Sequence, residues 1–386
     1  MIVVAVLFWL AAALLVYTHV GYPLVLWLLA RLKARRPHAF VRELPKVSLI
    51  VAAYDEEAVI ADKVRNALEL DYPPDRLELI VASDGSTDDT VRLAGEAGAH
   101  AVLDLPRAGK AQAQDIAVDG ATGEVLAFSD ANSLWAPDAL RALVAALADP
   151  AVGYVCGQLR FTRSEGDTNE EGAYWRYEMA VRTFESQLGG ITAGNGAIYA
   201  MRRGDYEFGD PFTGDLTLPY KLARRGLRAV YEPNALAEEP MVPTLEGEFR
   251  RKRRMMNRAW GIILRGGMLS PRGYPPLFAF ELASHRLLRY ISPFLHLLAF
   301  GTNIALLGRG WVYWVTFAIQ VAFFAAAALG PFVPSRLTRV PYYYVLVTGS
   351  IAVGLWDYLR RGSPLVWEKA SGTRHTGAGS PPAPRR

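Results

Sequence analysis

The sequence predicts an α/β fold, a doubly wound and mostly parallel sheet between helices, with membrane-spanning helices on both sides of it. Three observations carry this. Residues 46–240 alternate short apolar runs with amphipathic stretches, the β-α-β-α pattern of a largely parallel sheet. No Asp, Glu, Lys or Arg occurs between Ile2 and Ala30. Apolar residues gather again beyond residue 286, which gives the 386-residue chain a positive mean hydropathy around a middle of soluble character.

Residues 1–36 read as an N-terminal helix with a basic flank. The uncharged run exceeds the roughly 20 residues that cross a bilayer. It is too long, and starts too early, for a signal peptide. Arg31, Lys33, Arg35 and Arg36 follow it, and the positive-inside rule then places the next domain in the cytoplasm. Gly21-Tyr22-Pro23 marks a kink or an approach to the interface. In the domain, over residues 46–240, strands are expected at 47–53, 77–83, 101–103 and 125–128. Helices are expected at 58–70, 88–97, 111–118, 137–148 and 216–225. Residues 245–285 read as amphipathic interfacial helices. Residues 287–358 hold three apolar segments, at 290–307, 311–333 and 341–356, each of which could span, though the third is short and carries Gly349 and Gly354. Three spans would carry Arg360, Arg361, Lys369 and Arg374 to the outer face, against the positive-inside rule, unless one segment is re-entrant or interfacial. The tail 372–386 is Gly/Pro/Ser-rich and reads as disordered.

The net charge of +4 has its basic excess beside apolar segments, which favours an anionic membrane surface as partner and no nucleic acid. The single cysteine, Cys156, excludes an intramolecular disulfide and a Cys-based zinc site. No internal repeat is present.

The strand ends carry the chemistry. Asp130 and Asn132 stand at i and i+2 after the apolar run 125–128. Open α/β sheets bind ligands at that end of a strand, and two oxygen side chains so spaced can hold a hard divalent cation against a diphosphate. An ordinary Asx turn is the bland alternative. Asp55 and Asp84 end the first two strands; side by side they would repel without a cationic or donor-rich ligand, such as a nucleoside with its base N–H groups and ribose hydroxyls. Asp88 and Asp89 are explained as caps. Lys110 suits either a phosphate or solvent.

Read together, these residues resemble the membrane-bound family 2 glycosyltransferases of the GT-A fold, close to the branch of cellulose synthase and poly-N-acetylglucosamine synthase. The resemblance runs from Tyr17 to Trp367. It rests on Val51-Ala52-Ala53-Tyr54-Asp55-Glu56-Glu57, Ser83-Asp84-Gly85-Ser86, Gly109-Lys110, Ser129-Asp130-Ala131-Asn132, Thr192-Ala193-Gly194-Asn195-Gly196-Ala197 and Gly214-Asp215-Leu216-Thr217-Leu218, followed by Lys221-Leu222 and Gly226. Their order and spacing are more specific than any one of them.

The resemblance implies roles. Asp55, Glu56 and Asp84 would hold uracil and ribose, Lys110 the nucleotide, and Asp130 the diphosphate and metal. Asn132 would be the second metal ligand, with Mg2+ or Mn2+ as cofactor. Asp215 would be the general base, taking the proton of an acceptor hydroxyl as it attacks opposite the leaving diphosphate; as a residue before a helix it also reads as an N-cap. Gly194, Asn195, Gly196, Arg258 and Trp260 would face the acceptor. The sequence departs from the family at Asp55, where Asn is common, and at three further places. Asn132 replaces an acid, Asp115 stands where Asn is common, and Arg254-Met255-Met256-Asn257-Arg258-Ala259-Trp260 lacks the Gln and the Arg-Trp adjacency of the Q-x-x-R-W motif, which puts processive synthesis in doubt. The basic run 250–254 reads more simply as an interfacial helix on anionic lipid.

The implied protein is a multi-pass enzyme of the bacterial inner membrane, with its catalytic domain cytoplasmic. It would transfer a sugar, with inversion, from a UDP-linked donor to a lipid-linked or growing polysaccharide. Two alternatives are a sugar-phosphate nucleotidyltransferase, which would need a glycine-rich basic signature at the first strand, and a catalytically silent export scaffold, which need not retain Asp130 and Asp215.

Overall fold

The computed structural model describes residues 1–33, 43–162, 170–210, 214–241, 244–270, 272–333 and 335–363. The expected disordered tail, and Arg35, Arg36, Lys369 and Arg374, lie outside these residues.

The chain enters through α1 (Ile2–Val16), a π-helical turn over Tyr17–Gly21, and α2 (Tyr22–Leu32). The helix is continuous; the kink expected at Gly21-Tyr22-Pro23 takes the form of the π turn, next to Pro23, which has no N–H to give the preceding turn, and the His19 carbonyl there accepts from Tyr177 Oη at 3.2 Å. The domain then alternates β1 (Val47–Ala53), α3 (Ile60–Leu68), β2 (Leu77–Asp84), α4 (Thr90–Glu96), β3 (Ala101–Leu105), α5 (Lys110–Gly120) and β4 (Val125–Asp130). Each of these was expected, with ends moved by a few residues. β1 is buried along its whole length, as a central parallel strand covered on both faces must be. Helix α3 buries Ile60, Lys63, Val64 and Ala67, an i, i+3, i+4, i+7 stripe.

Beyond β4 the sheet differs from the expectation. It continues through β5 (Leu134–Trp135), α6 (Ala139–Leu147), β6 (Val152–Thr162), α7 (Glu170–Leu188), β7 (Tyr199–Arg202), α8 (Thr217–Arg224) and β8 (Arg228–Pro240). Among the described residues, eight strands lie in the order β3-β2-β1-β4-β7-β6-β8-β5. The half β3-β2-β1-β4 is parallel, whereas β7 runs antiparallel to both β4 and β6, and β5 antiparallel to β8. The sheet is therefore mixed. One face packs on α3 and α6 through residues such as Leu49, Val64, Leu79, Leu140 and Trp135. The other packs on α5 and α8 through Ile50, Ala117, Phe128, Tyr154 and Leu218.

Among the described residues, three helical stretches are long and apolar enough to cross a membrane: Ile2–Leu32, Pro276–Arg309 and Trp311–Leu329. They comprise α1 and α2, then α10 (Pro276–Glu281), a second π-helical turn (Leu282–Leu287) and α11 (Leu288–Leu306), then α12 (Trp311–Leu329); α9 (Leu245–Arg265) precedes them. α1 runs antiparallel to α11, with Tyr17 Oη 2.9 Å from Ser284 Oγ and the Phe8 and Tyr313 rings 5.6 Å apart. Their outer faces leave Ile2, Leu297, Trp311 and Ile319 exposed, as lipid-facing side chains would be.

The third C-terminal segment, expected at 341–356, is not of this kind. It belongs to α13 (Arg336–Arg361), whose ends carry Arg336, Arg339, Asp357, Arg360 and Arg361. α13 packs on α9: Trp260 Nε1 donates to the Ile351 carbonyl at 2.9 Å, Arg253 Nη2 to Asp357 at 2.7 Å, and Asn257 Nδ2 to the Gly362 carbonyl at 3.2 Å. Arg360 and Arg361 therefore end beside α9.

Candidate active site

The loops after β1, β2 and β4 meet at one edge of the sheet. Asp84, 1% exposed at the end of β2, accepts from Arg107 Nη1 at 2.7 Å and from the backbone N–H groups of Ala108 and Gly109 at 2.7 and 2.8 Å. The Arg107 guanidinium lies 3.2 Å over the Tyr54 ring. Asp55 adopts a left-handed conformation, φ 47°, and accepts from the Thr87 N–H at 2.7 Å, while its own N–H reaches Ser86 Oγ at 3.0 Å. Glu56 is buried, and its N–H donates to Thr90 Oγ1 at 2.7 Å. This corrects the argument that Asp55 and Asp84 would need a cationic or donor-rich ligand: the chain supplies those donors itself. Arg107, which the sequence did not single out, is the main one. Asp84 anchors the turn that delivers Lys110 to the first position of α5.

Lys110 forms an ion pair with Asp130. Gly196 lies over that pair: a Cβ there would stand 3.3 Å from Lys110 Nζ and 3.6 Å from Asp130 Oδ2. Asp130, Lys110 and Gly196 open onto a cavity of about 390 Å³ that also reaches Gly194, Asn195, Asp215 and Arg258. The structure thus brings together most of the residues expected to act. The Gly194 N–H donates to the Asp215 carbonyl at 2.8 Å, and the Gly194 carbonyl accepts from Arg182 Nη2 at 3.0 Å. Burial first, then the charges of Asp215 and Asp130, hold the Tyr199 phenol far above its usual range. Tyr199 therefore senses both ends of the cavity, stacked between Phe128 at 4.7 Å and Tyr154 at 5.3 Å.

Two acceptor-side expectations need correction. Trp260 is not in the cavity; its indole packs with Tyr290 on the α13 side of α9 and spends its N–H on Ile351. Two residues along a helix turn about 200°, so Arg258 and Trp260 cannot share a face. Asn195 lines the cavity, but its amide is committed, donating to the Gly157 carbonyl at 2.8 Å and accepting from the Ile198 N–H at 3.0 Å. It shapes the loop. Asp115 is likewise structural, accepting from Tyr206 Oη at 2.8 Å and the Gly209 N–H at 3.0 Å.

The basic run of α9 also differs from a helix lying on lipid. Arg251, Lys252, Met255 and Arg258 form one stripe that walls the cavity, joined by Tyr343 of α13. Glu248 holds Arg251 at 2.7 Å and Lys252 at 2.9 Å. Glu239 of β8 and Arg182 of α7, both unmarked in the sequence, complete the lining.

For a divalent cation the fit is specific but sparse. Asp130 is 29% exposed and faces the cavity, and Asn132 follows it half-buried. No group of three His, Cys, Asp or Glu converges among the described residues. Asp130 and Asn132 offer the oxygen donors that Mg2+ or Mn2+ prefers, and the remaining ligands would come from substrate and water.

Comparison with known proteins agrees with this geometry. The family model "Glycosyl transferase family 2" matches residues 48–207, which stop just short of Asp215. The chain is 25% identical over 243 residues to poly-beta-1,6-N-acetyl-D-glucosamine synthase of Staphylococcus aureus (strain COL), covering 60% of this chain and 58% of that protein. It is 33% identical over 129 residues to the probable glycosyltransferase YdaM of Bacillus subtilis (strain 168), 31% of each. It therefore spans less than two thirds of the length of these curated relatives. Among solved structures, mannosyltransferase PcManGT from Pyrobaculum calidifontis, in complex with GDP-Man and Mn2+, superposes with a TM-score of 0.69 at 26% identity, over 92% of this chain and 99% of that one. An overlap of that extent takes in the flanking helices as well as the sheet. In sequence and in fold this chain carries a glycosyltransferase family 2 domain of GT-A type, homologous to that of the poly-beta-1,6-N-acetyl-D-glucosamine synthases.

Proposed function

We propose that the protein is a membrane-anchored, metal-dependent, inverting glycosyltransferase that moves a sugar from a nucleotide-diphospho-sugar to a lipid-linked or growing glycan. The observation that carries this is the cavity onto which both Asp130 and Asp215 open, with the strip Gly194–Gly196 between them and Gly196 lying over the Lys110–Asp130 pair. Asp130 and Asn132 would hold the metal with the diphosphate, and Lys110, leaving Asp130, would take a phosphate oxygen. The bound metal would stabilise negative charge on the leaving diphosphate. Asp215 would accept the acceptor hydroxyl's proton, its backbone fixed by the Gly194 N–H. Arg258 would extend the positive wall along the diphosphate. Asp55, Glu56 and Asp84 shape the nucleoside corner; with Asp84 already saturated, the nucleoside would meet the loop it anchors more than its carboxylate.

The acceptor side is walled by α9 and α13, which pack against the apolar helices, and this favours an acceptor headgroup arriving along the bilayer surface. With three spans, Arg31, Lys33, Arg360 and Arg361 fall on the side of the domain, so the positive-inside rule supports a multi-pass protein of the plasma membrane with a cytoplasmic site. UDP-linked donors follow from the resemblance to the synthases, whereas the solved mannosyltransferase carries GDP-Man. A panel of UDP-GlcNAc, UDP-Glc and GDP-Man, incubated with detergent-purified protein and Mn2+, tests the proposal. Release of nucleoside diphosphate from one of them is expected, and no release from any would overturn the proposal.

A further inference from the structure

Lys63 occupies a core position of α3, between Ile60, Val64 and Ala67, and no part of it is exposed. Taking an ammonium out of water costs several kcal/mol, and an apolar side chain of similar length would fill the same place. Its Nζ donates to the Ser133 carbonyl at 2.6 Å and lies 5.0 Å from the centre of the Trp135 ring. One turn along the helix, Asn66 accepts from the Trp135 N–H at 2.8 Å and donates to the Trp135 carbonyl at 2.9 Å. The Ser133 N–H returns to the Asp130 carbonyl at 3.2 Å, closing the turn that presents Asp130 and Asn132. Ser129 Oγ and Trp135 Nε1 both reach the Ala197 carbonyl, at 3.1 and 3.0 Å, and so tie this turn to the strip Gly194–Gly196.

The charges around the turn are as telling as its hydrogen bonds. Asp130 and Glu239 are the carboxylates whose charge reaches Lys63 from across the turn. On the cavity side Asp130 meets Lys110. At pH 6.5 the Asp130 carboxylate therefore feels two ammonium groups, Lys110 as its ion-pair partner and Lys63 through the turn. A free divalent cation brought there gains one attraction and meets two repulsions. A diphosphate changes the balance: it neutralises the cation and gives Lys110 a new partner.

We propose that Lys63 is a positioning residue of the donor site, which fixes the turn from Asp130 to Ser133 and, with Lys110, makes it a receptor for a cation already joined to a diphosphate rather than for a free cation. This rests on the reading of the cavity as a nucleotide-sugar site. The test is calorimetry on the full-length protein in detergent at pH 6.5, with Mn2+ alone, UDP or GDP alone, and each nucleotide with Mn2+. The wild-type protein is expected to bind one Mn2+–nucleotide pair at least about tenfold more tightly than Mn2+ alone. Lys63→Met should strengthen binding of free Mn2+, weaken binding of the pair, and reduce that ratio by about tenfold. Wild-type protein that binds Mn2+ alone as tightly as the pair overturns the inference without recourse to any variant. So does a folded Lys63→Met protein that keeps the wild-type ratio. Failure of both nucleotides to bind, with or without Mn2+, defeats the nucleotide-sugar reading itself and this inference with it.

Discussion

Gly194→Ala is the substitution whose consequence the geometry fixes most closely. A Cβ at Gly194 would stand 1.9 Å from Tyr154 Oη, 2.7 Å from Cζ and 3.0 Å from Cε1. Ordinary contact needs more than 1 Å of relief, and the Tyr154 ring has nowhere to retreat: it is wholly buried and stacked 5.3 Å from Tyr199. The loop must move instead, and it carries the N–H that holds Asp215. Overpacking of this kind costs about 1–3 kcal/mol. For a domain of this size each kcal/mol lowers Tm by roughly 2–4 °C, so a drop between about 2 and 12 °C is expected. Displacing Asp215, the proposed base, by about 1 Å should cost turnover on the order of 10²-fold. Gly196→Ala is the control, because its Cβ meets only the mobile ends of Lys110 and Asp130 at 3.3 and 3.6 Å. It should keep Tm and weaken donor binding. Thermal unfolding in detergent, nucleotide-sugar affinity and transfer rate on both variants check this pair. Wild-type Tm and turnover in Gly194→Ala would refute the reasoning.

Three further outcomes are expected. Asp130→Asn leaves the domain folded and lowers activity by orders of magnitude, and excess chelator silences the wild-type enzyme; full activity in chelator contradicts the metal assignment. Cys156 is buried, so an impermeant maleimide should label Arg360→Cys only after cells are opened but Arg309→Cys, at the far end of α11, in intact cells; the reverse pattern inverts the topology. Burial lowers the Lys63 ammonium from 10.5 to about 7. Between those values the unfolded chain holds a proton that the folded chain has lost. Wild-type stability should therefore rise with pH across that window relative to Lys63→Met, and run parallel to it below, where both states are protonated; parallel curves throughout mean that Lys63 titrates normally.

The first half of the domain was legible because each strand from β1 to β4 is a short apolar run set off by an amphipathic helix. β8 was not legible: Pro233 and Asn234 interrupt it and Glu232, Glu238 and Glu239 dilute it, yet pairing with β6 through an irregular register keeps it a strand. Lys63 was passed over because a lysine in an amphipathic helix reads as solvated, and only the tertiary fold puts that face of α3 under the Asp130 turn. The α9 stripe was within reach, since Arg251, Met255 and Arg258 recur at helical spacing; the positive charge suggested lipid, and only the placement of α13 shows that this face walls a cavity. Trp260 fell to the same geometry, on the opposite side of the helix from Arg258. Arg107, the partner of Asp84, had no sequence signal beyond its nearness to Lys110.

We propose that Asp215 is the base of a sugar transfer whose donor is held by a separate group around Lys110 and Asp130. Asp215→Asn keeps the shape of the side chain and the backbone contact with Gly194 while removing the basic oxygen. The direct test measures nucleotide-sugar affinity and transfer rate on that one variant. Affinity close to wild type and turnover reduced about 10²–10⁴-fold or more are expected. Weakened affinity with an unchanged rate at saturation would contradict this proposal and make Asp215 part of the donor site.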